Sequence, residues 1–326
     1  MSFIKNLGSE LQLSVTKYRT ACMGVAMIWV FLFHSPSKIL NYLPDGLYGT
    51  FISYGYLGVD LFLFISAFGL CYSLDKNSLG KYFKNRIFRI LPTFLLVLFA
   101  VHALGLIVEF YIPILKIDYP HDLIDSIFWY TGLGYFFEQC HYEWYIPSLL
   151  LLYTIAPVLY KMEYKKLLIA FVSSLVVSYV LSYNEIFPYL ERLYGRIPIF
   201  VLGFCFYKGL CYNLLTGGVT VASIVLVPLY FYDKCPDTIP FCFSVPLVLV
   251  LISKLMRVRI LYVIFSFVGS ISLEFYLIHC YRRPQALISL FTQSHFLQVT
   301  LAIVLCCFLG WIMQKCIKNM MTFLTK

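Results

Sequence analysis

The sequence predicts an all-α polytopic membrane protein with about ten transmembrane helices and both termini in the cytoplasm. Three observations predict it. Hydrophobic residues make up 61% of the chain and charged residues only 13%, about half the charged share of an ordinary soluble protein. Such a composition cannot cover a water-facing surface. Apolar blocks of roughly 20 residues recur along the chain, the length a helix needs to cross a bilayer. Those blocks lack the two-residue alternation that a membrane β-barrel requires.

The elements follow in order. The opening stretch "MSFIKNLGSELQLSVTKYR" is polar and mildly amphipathic. It shows no small-residue cleavage site and reads as a short interfacial helix leading into the first span. The spans fall near 19–37, 52–74, 90–110, 143–160, 166–183, 196–212, 217–232, 239–254, 260–281 and 296–315. Pro92, Pro147, Pro157 and Pro246 interrupt several of them. Membrane helices tolerate proline where neighbours satisfy the freed backbone groups. The longest outer segment, about 111–142, carries Asp118, Asp122, Asp125 and Glu138, and its "HDLIDSIFWYTGLG" suits an interfacial helix. No soluble domain, low-complexity linker or repeat divides the chain, so residues 1–326 read as a single transmembrane domain.

Orientation comes from the basic residues. With the N-terminus inside, 18 of the 25 lysines and arginines fall in inner segments and 7 in outer ones. Positive residues collect on the cytoplasmic side, and an even number of spans then places both termini there. This distribution accounts for the net charge of +9 without nucleic acid as a partner. The eleven cysteines are scattered without a CxxC, so they read as small apolar fillers and not as metal ligands.

Ionisable residues inside spans are costly and mark candidate functional positions. The first span ends in "WVFLFHS", which places His34 at its outer end, about 22 Å from Arg19 at the inner end. His34 is either an interfacial anchor or a working base. Asp60 lies in the outer half of the second span, among the small residues Gly55, Gly58, Ser66, Ala67 and Gly69. It suits either a structural partner for a histidine or arginine, or a group that orients a catalytic imidazole. In the ninth span, Ser272, Tyr276, His279 and Arg283 share one helical face, and the outward run brings His279 to the depth of His34. Glu274 points roughly away from Ser272, toward a different neighbour. His102 has no polar pattern around it and reads as packing. His121, His141 and His295 read as solvated loop or span-edge residues. The cluster from His141 to Tyr145 suits either a headgroup belt or a sugar-stacking platform. The inner stretch "KYFKNRIFRILP" carries Lys81, Lys84, Arg86 and Arg89. It suits lipid phosphate contact or a phosphate-rich cytoplasmic donor.

Taken together these blocks resemble the membrane acyltransferase-3 family, which modifies cell-surface polysaccharides. "MGVAMIWVFLFHS" is similar to its first-span block ending in a histidine. "GVDLFLFISAFGLCYS" is similar to its second-span block, and "YFKNRIFRILPTFLL" to its arginine-rich inner segment. "EWYIPSLLLLYTIAPVL", "GRIPIFVLG" and "GSISLEFYLIHC" resemble later blocks in the same order. Two positions depart from the pattern. Met23 stands where many members have an arginine, the nearest arginine being Arg19, and Ala67 stands where glycine is usual. The sequence reads as the minimal form of the family, without the appended hydrolase-like domain that some members have.

The resemblance implies a membrane O-acyltransferase, most often an O-acetyltransferase, with no bound cofactor. Acyl-CoA from the cytoplasm would be the donor. The acceptor would be a hydroxyl of a surface polysaccharide or lipid-linked sugar, at a bacterial cytoplasmic membrane. His34 would act as general base or carry the acyl group, with Asp60 beside it in the catalytic set. Arg86 and Arg89 would hold the CoA phosphates. Trp144, Tyr145, Arg196, Glu274, Tyr276 and His279 would contact the acceptor or support the groups that do. A transporter or flippase of glycan precursors is the alternative, and a non-catalytic scaffold the third reading. Transporters often carry two-fold repeats with paired broken helices, and no half-to-half correspondence is visible here.

Overall fold

A computed structural model of the chain describes residues 2–35, 47–111, 122–137, 144–209, 238–280, 288 and 292–324. Regular structure among the described residues is entirely helical. The expected span at 217–232, and the residues His121, His141 and Arg283, lie outside the described residues. The main helices are α1 (Ser2–Val15), α2 (Arg19–His34), α3 (Leu47–Ser53), α4 (Gly58–Lys76) and α5 (Leu79–Tyr111). They continue as α6 (Leu123–Thr131), α7 (Tyr145–Lys161), α8 (Tyr164–Tyr183), α9 (Glu191–Tyr194) and α10 (Ile197–Lys208). The last four are α11 (Thr238–Leu255), α12 (Arg259–Ser270), α13 (Ser272–Cys280) and α14 (His295–Leu324).

Four described helical segments are long and apolar enough to cross a membrane: Gly55–Lys76, Tyr164–Tyr183, Thr238–Leu255 and His295–Phe323. The pair α12 and α13 makes a fifth if counted as one span, and α2 and α7 are shorter apolar helices. Large apolar side chains such as Ile169, Val172 and Val176 on α8, and Phe296, Val304 and Phe308 on α14, stand exposed. That is unfavourable in water but costless against lipid tails.

Two expected elements change shape. The ninth span is not one helix: it breaks at Ile271 between α12 and α13. The inner stretch before the third span, likened above to an arginine-rich inner segment, is helical. It forms the first turns of α5, which runs unbroken through Pro92. Arg86 and Arg89 therefore sit three residues apart on a helix, close to one face.

The chain divides into two compact units. The first comprises residues 1–33, 40–82 and 151–270. α4 is its core, buried along nearly its whole length from Gly58 to Cys71. It packs on α10 where Ala67 meets Gly203: a Cβ built on Gly203 would lie 2.5 Å from the Ala67 Cβ. The methyl at Ala67 thus fills the room that the glycine on the facing helix leaves. α2 crosses α12 backbone to backbone. A Cβ on Gly24 would fall 1.9 Å from the Phe265 carbonyl oxygen, and one on Gly269 would fall 1.8 Å from that of Thr20. Small residues permit this approach between membrane helices. α1 folds onto α11, burying Leu11, Ser14 and Val15. Glu10 pairs with Arg257 and accepts a hydrogen bond from Ser253 Oγ at 3.2 Å. The apolar face of this amphipathic helix therefore rests on protein.

The second unit comprises residues 34–39, 83–150 and 271–326. α13 packs against α14 at Gly310, whose Cβ position lies 3.6 Å from Glu274 Cβ and 3.5 Å from the Phe275 amide nitrogen. The segment after α5 does form a helix, α6. Asp122 caps it by accepting the Asp125 amide at 2.7 Å, satisfying one of the donors a helix start leaves open. Gly132 closes it at φ +70, a conformation that glycine adopts without Cβ strain. His102 is more than packing. Its Nδ1 lies 2.7 Å from Tyr130 Oη and the two rings stack at 6.0 Å, tying α6 to α5. The partner sits 28 residues away, outside any pattern within the span.

Candidate active site

Within the second unit, α13 and the end of α2 bring two imidazoles together. His34 Nδ1 and His279 Nε2 are 2.9 Å apart, and the rings are tilted by 32° at a centroid distance of 5.1 Å. His279 is almost fully enclosed, whereas His34 is half-buried. Across the other side of its ring, His279 Nδ1 lies 3.2 Å from the Phe275 carbonyl oxygen, one helical turn back.

Aromatic rings wall this pair. Tyr276 precedes His279 by three residues and so shares its helical face. Its ring stands edge-on to the His279 imidazole at 5.4 Å and 70°. Tyr145 meets Tyr276 at 5.0 Å, and Trp144 meets Tyr145 at 5.9 Å. Trp144, Tyr145 and Tyr276 are all buried, which a headgroup belt would not require. The run Trp144, Tyr145, Tyr276, His279, His34 is thus one continuous chain of ring contacts. Offset and edge-on ring pairs contribute about 0.5–1.5 kcal/mol each beyond their burial, which holds the imidazoles in place.

The expected donor residues lie in the same unit. Arg86 is half-buried and Arg89 exposed on α5. Glu274 is buried, and its Oε2 accepts no hydrogen bond among the described residues. Its carboxylate interacts electrostatically with Arg89 and with Lys318 of α14. Lys318 is a residue that motif reading passed over as one more inner lysine. It lies 44 positions from Glu274 in sequence, so only the packing of α13 on α14 signals the relation.

Asp60 and Arg196 pair within the first unit. Arg196 Nε is 3.6 Å from Asp60 Oδ1, and both side chains are buried. Neither Asp60 oxygen accepts a hydrogen bond among the described residues. Arg196 occupies the N-cap position of α10 and donates from Nη1 to the Arg192 carbonyl at 3.1 Å. The nitrogen placed against His34 Nδ1 belongs to His279, and the cation placed against Asp60 belongs to Arg196. Arg19, the arginine nearest the Met23 position, sets its guanidinium against Gly69 of α4. A Cβ there would lie 2.6 Å from Arg19 Nη2.

A helical membrane protein with a histidine pair behind a wall of buried aromatic rings is the class that fold and site define together. The chain belongs to the acyltransferase-3 family: the family model, described as an acyltransferase domain, matches residues 24–315. No curated protein and no solved structure matches it. The matched segment contains every site residue from His34 to His279.

Proposed function

We propose that this acyltransferase moves an acyl group, acetyl foremost, from cytoplasmic acyl-CoA to a hydroxyl of a cell-surface glycan or lipid-linked sugar. The observation that carries the reading is the half-buried His34 imidazole held against His279. A neutral imidazole takes a hydroxyl proton near neutral pH. In this reading the acceptor oxygen attacks the acyl carbonyl as His34 takes its proton. The C–S bond then breaks, and the CoA thiolate leaves and receives the proton. Carriage of the acyl group on His34 is the two-step variant of the same transfer. Arg86 and Arg89 bind the CoA phosphates through their guanidinium groups. The rings of Trp144, Tyr145 and Tyr276 shape the acceptor side. Asp60 and Arg196 hold α4 and α10 together within the first unit. Ten spans, both termini in the cytoplasm and residence in a bacterial cytoplasmic membrane complete the proposal.

The test uses membranes containing the protein and acyl-labelled CoA. Base-labile label should enter glycan, and His34→Ala should abolish it at unchanged protein abundance. Full retention of labelling by that variant overturns the assignment of His34. The broken helix at Ile271 is the feature that a flippase would share. Glycan movement independent of acyl-CoA, with no ester formed, would favour that reading instead.

A further inference from the structure

We infer that His279 is the positioning residue for His34: it accepts the His34 Nδ1 proton and so leaves the basic lone pair of His34 on Nε2. The inference rests on the acyl-transfer reading for its purpose, but its geometry stands apart from it. A neutral imidazole has one N–H and one lone pair, and which nitrogen carries which is set by the hydrogen bonds around the ring. The Phe275 carbonyl can only accept. His279 Nδ1, 3.2 Å from that oxygen, is therefore the N–H of its ring. A ring only 1% exposed has given up its hydration, which disfavours charge on it, so its other nitrogen is an acceptor. That nitrogen, Nε2, lies 2.9 Å from His34 Nδ1. His34 must then donate into the contact from Nδ1, and in the neutral form of the ring Nε2 carries the lone pair.

The chain of polarity thus runs from His34 Nδ1–H to His279 Nε2, and from His279 Nδ1–H to the Phe275 carbonyl. Its anchor is a backbone oxygen of α13, so no carboxylate is needed to set the tautomer. Free histidine ordinarily prefers the opposite tautomer, with hydrogen on Nε2, so the contact selects the less common form. The same polarity stabilises positive charge as it develops on His34 when Nε2 takes the acceptor proton. Tyr276 and Tyr145 hold the second ring in register from behind.

The experiment uses the full-length protein in lipid nanodiscs with ¹⁵N-labelled histidine. His34 signals are assigned by their loss in His34→Ala. His34 should show a protonated Nδ1 and an unprotonated Nε2. In His279→Leu that pattern should be lost, with kcat falling about 100-fold while the KM for acyl-CoA moves less than about threefold. His279→Gln, which offers a carbonyl oxygen near the position of Nε2, should recover at least about tenfold of that loss and restore the wild-type tautomer. A wild-type His34 protonated on Nε2, or a His34 spectrum unchanged in His279→Leu, overturns the inference. The tautomer is read without turnover. An active His34→Ala enzyme alongside the expected wild-type His34 spectrum would therefore sink the base assignment and leave the positioning contact standing.

Discussion

His34 Nδ1 lies 2.9 Å from His279 Nε2, although 245 residues of chain separate the two rings. Residues that act as one unit lose activity non-additively. Measured against the residual background transfer of His34→Ala, adding His279→Leu should therefore cause no further loss. The check is label transferred per milligram of membrane protein in the four-member cycle. Multiplying losses would show that the two rings act separately.

The buried pair of Asp60 and Arg196 makes a stability prediction. Removing one partner strands a buried charge, at a cost of about 3–5 kcal/mol. Arg196→Met should lower the unfolding temperature in detergent and reduce folded protein in membranes. Adding Asp60→Leu to that background should restore most of the loss, because no charge is left enclosed. Fluorescence-detected size exclusion after a heat ramp measures both.

At the crossing of α4 and α10, Gly203→Ala places a methyl where the Ala67 Cβ already stands. Overpacking of this kind costs about 1–3 kcal/mol. Ala67→Gly in the same chain should recover part of the lost thermal stability, the Phe64 carbonyl oxygen remaining 3.0 Å from the new methyl. Two independent penalties that simply add would contradict the close contact.

In the proposed reading the guanidinium groups of Arg86 and Arg89 would bind the donor phosphates through two parallel hydrogen bonds, which lysine cannot reproduce. Arg86→Lys with Arg89→Lys should raise the KM for acyl-CoA about tenfold with little change in thermal stability. Lys318→Gln should shift it in the same direction by less, through the charge cluster that Lys318 shares with Glu274 and Arg89. Initial rates across a donor titration decide both.

The hydrogen bond between His102 and Tyr130 holds α6 against α5. Tyr130→Phe keeps the stacked ring and removes about 1 kcal/mol. Amide hydrogen exchange should rise across 123–131 and stay unchanged in α13. Equal exchange in both forms would mean that the ring stack alone holds the helix.

Much of the molecule was legible in its residues, for a physical reason. Apolar length and helical periodicity are local properties, so the membrane class, the helices α8, α11 and α14, and the shared face of Tyr276 and His279 could be read directly. The order of the blocks around His34, Asp60, Arg86 and Glu274 pointed to the family that the match over residues 24–315 shows. Tertiary structure alone decided which polar group meets which. Nothing near His34 in sequence announces His279, nothing near Asp60 singles out Arg196, and Tyr130 turns a packing histidine into a hydrogen-bonded one. The break at Ile271 and the helical start of α5 were equally hidden. The residues there are apolar or basic enough to suit a straight span or a loop, and only packing against other helices separates those outcomes. A polar side chain in a span has the same cost wherever its partner comes from, so sequence marks the need for a partner and packing supplies its identity.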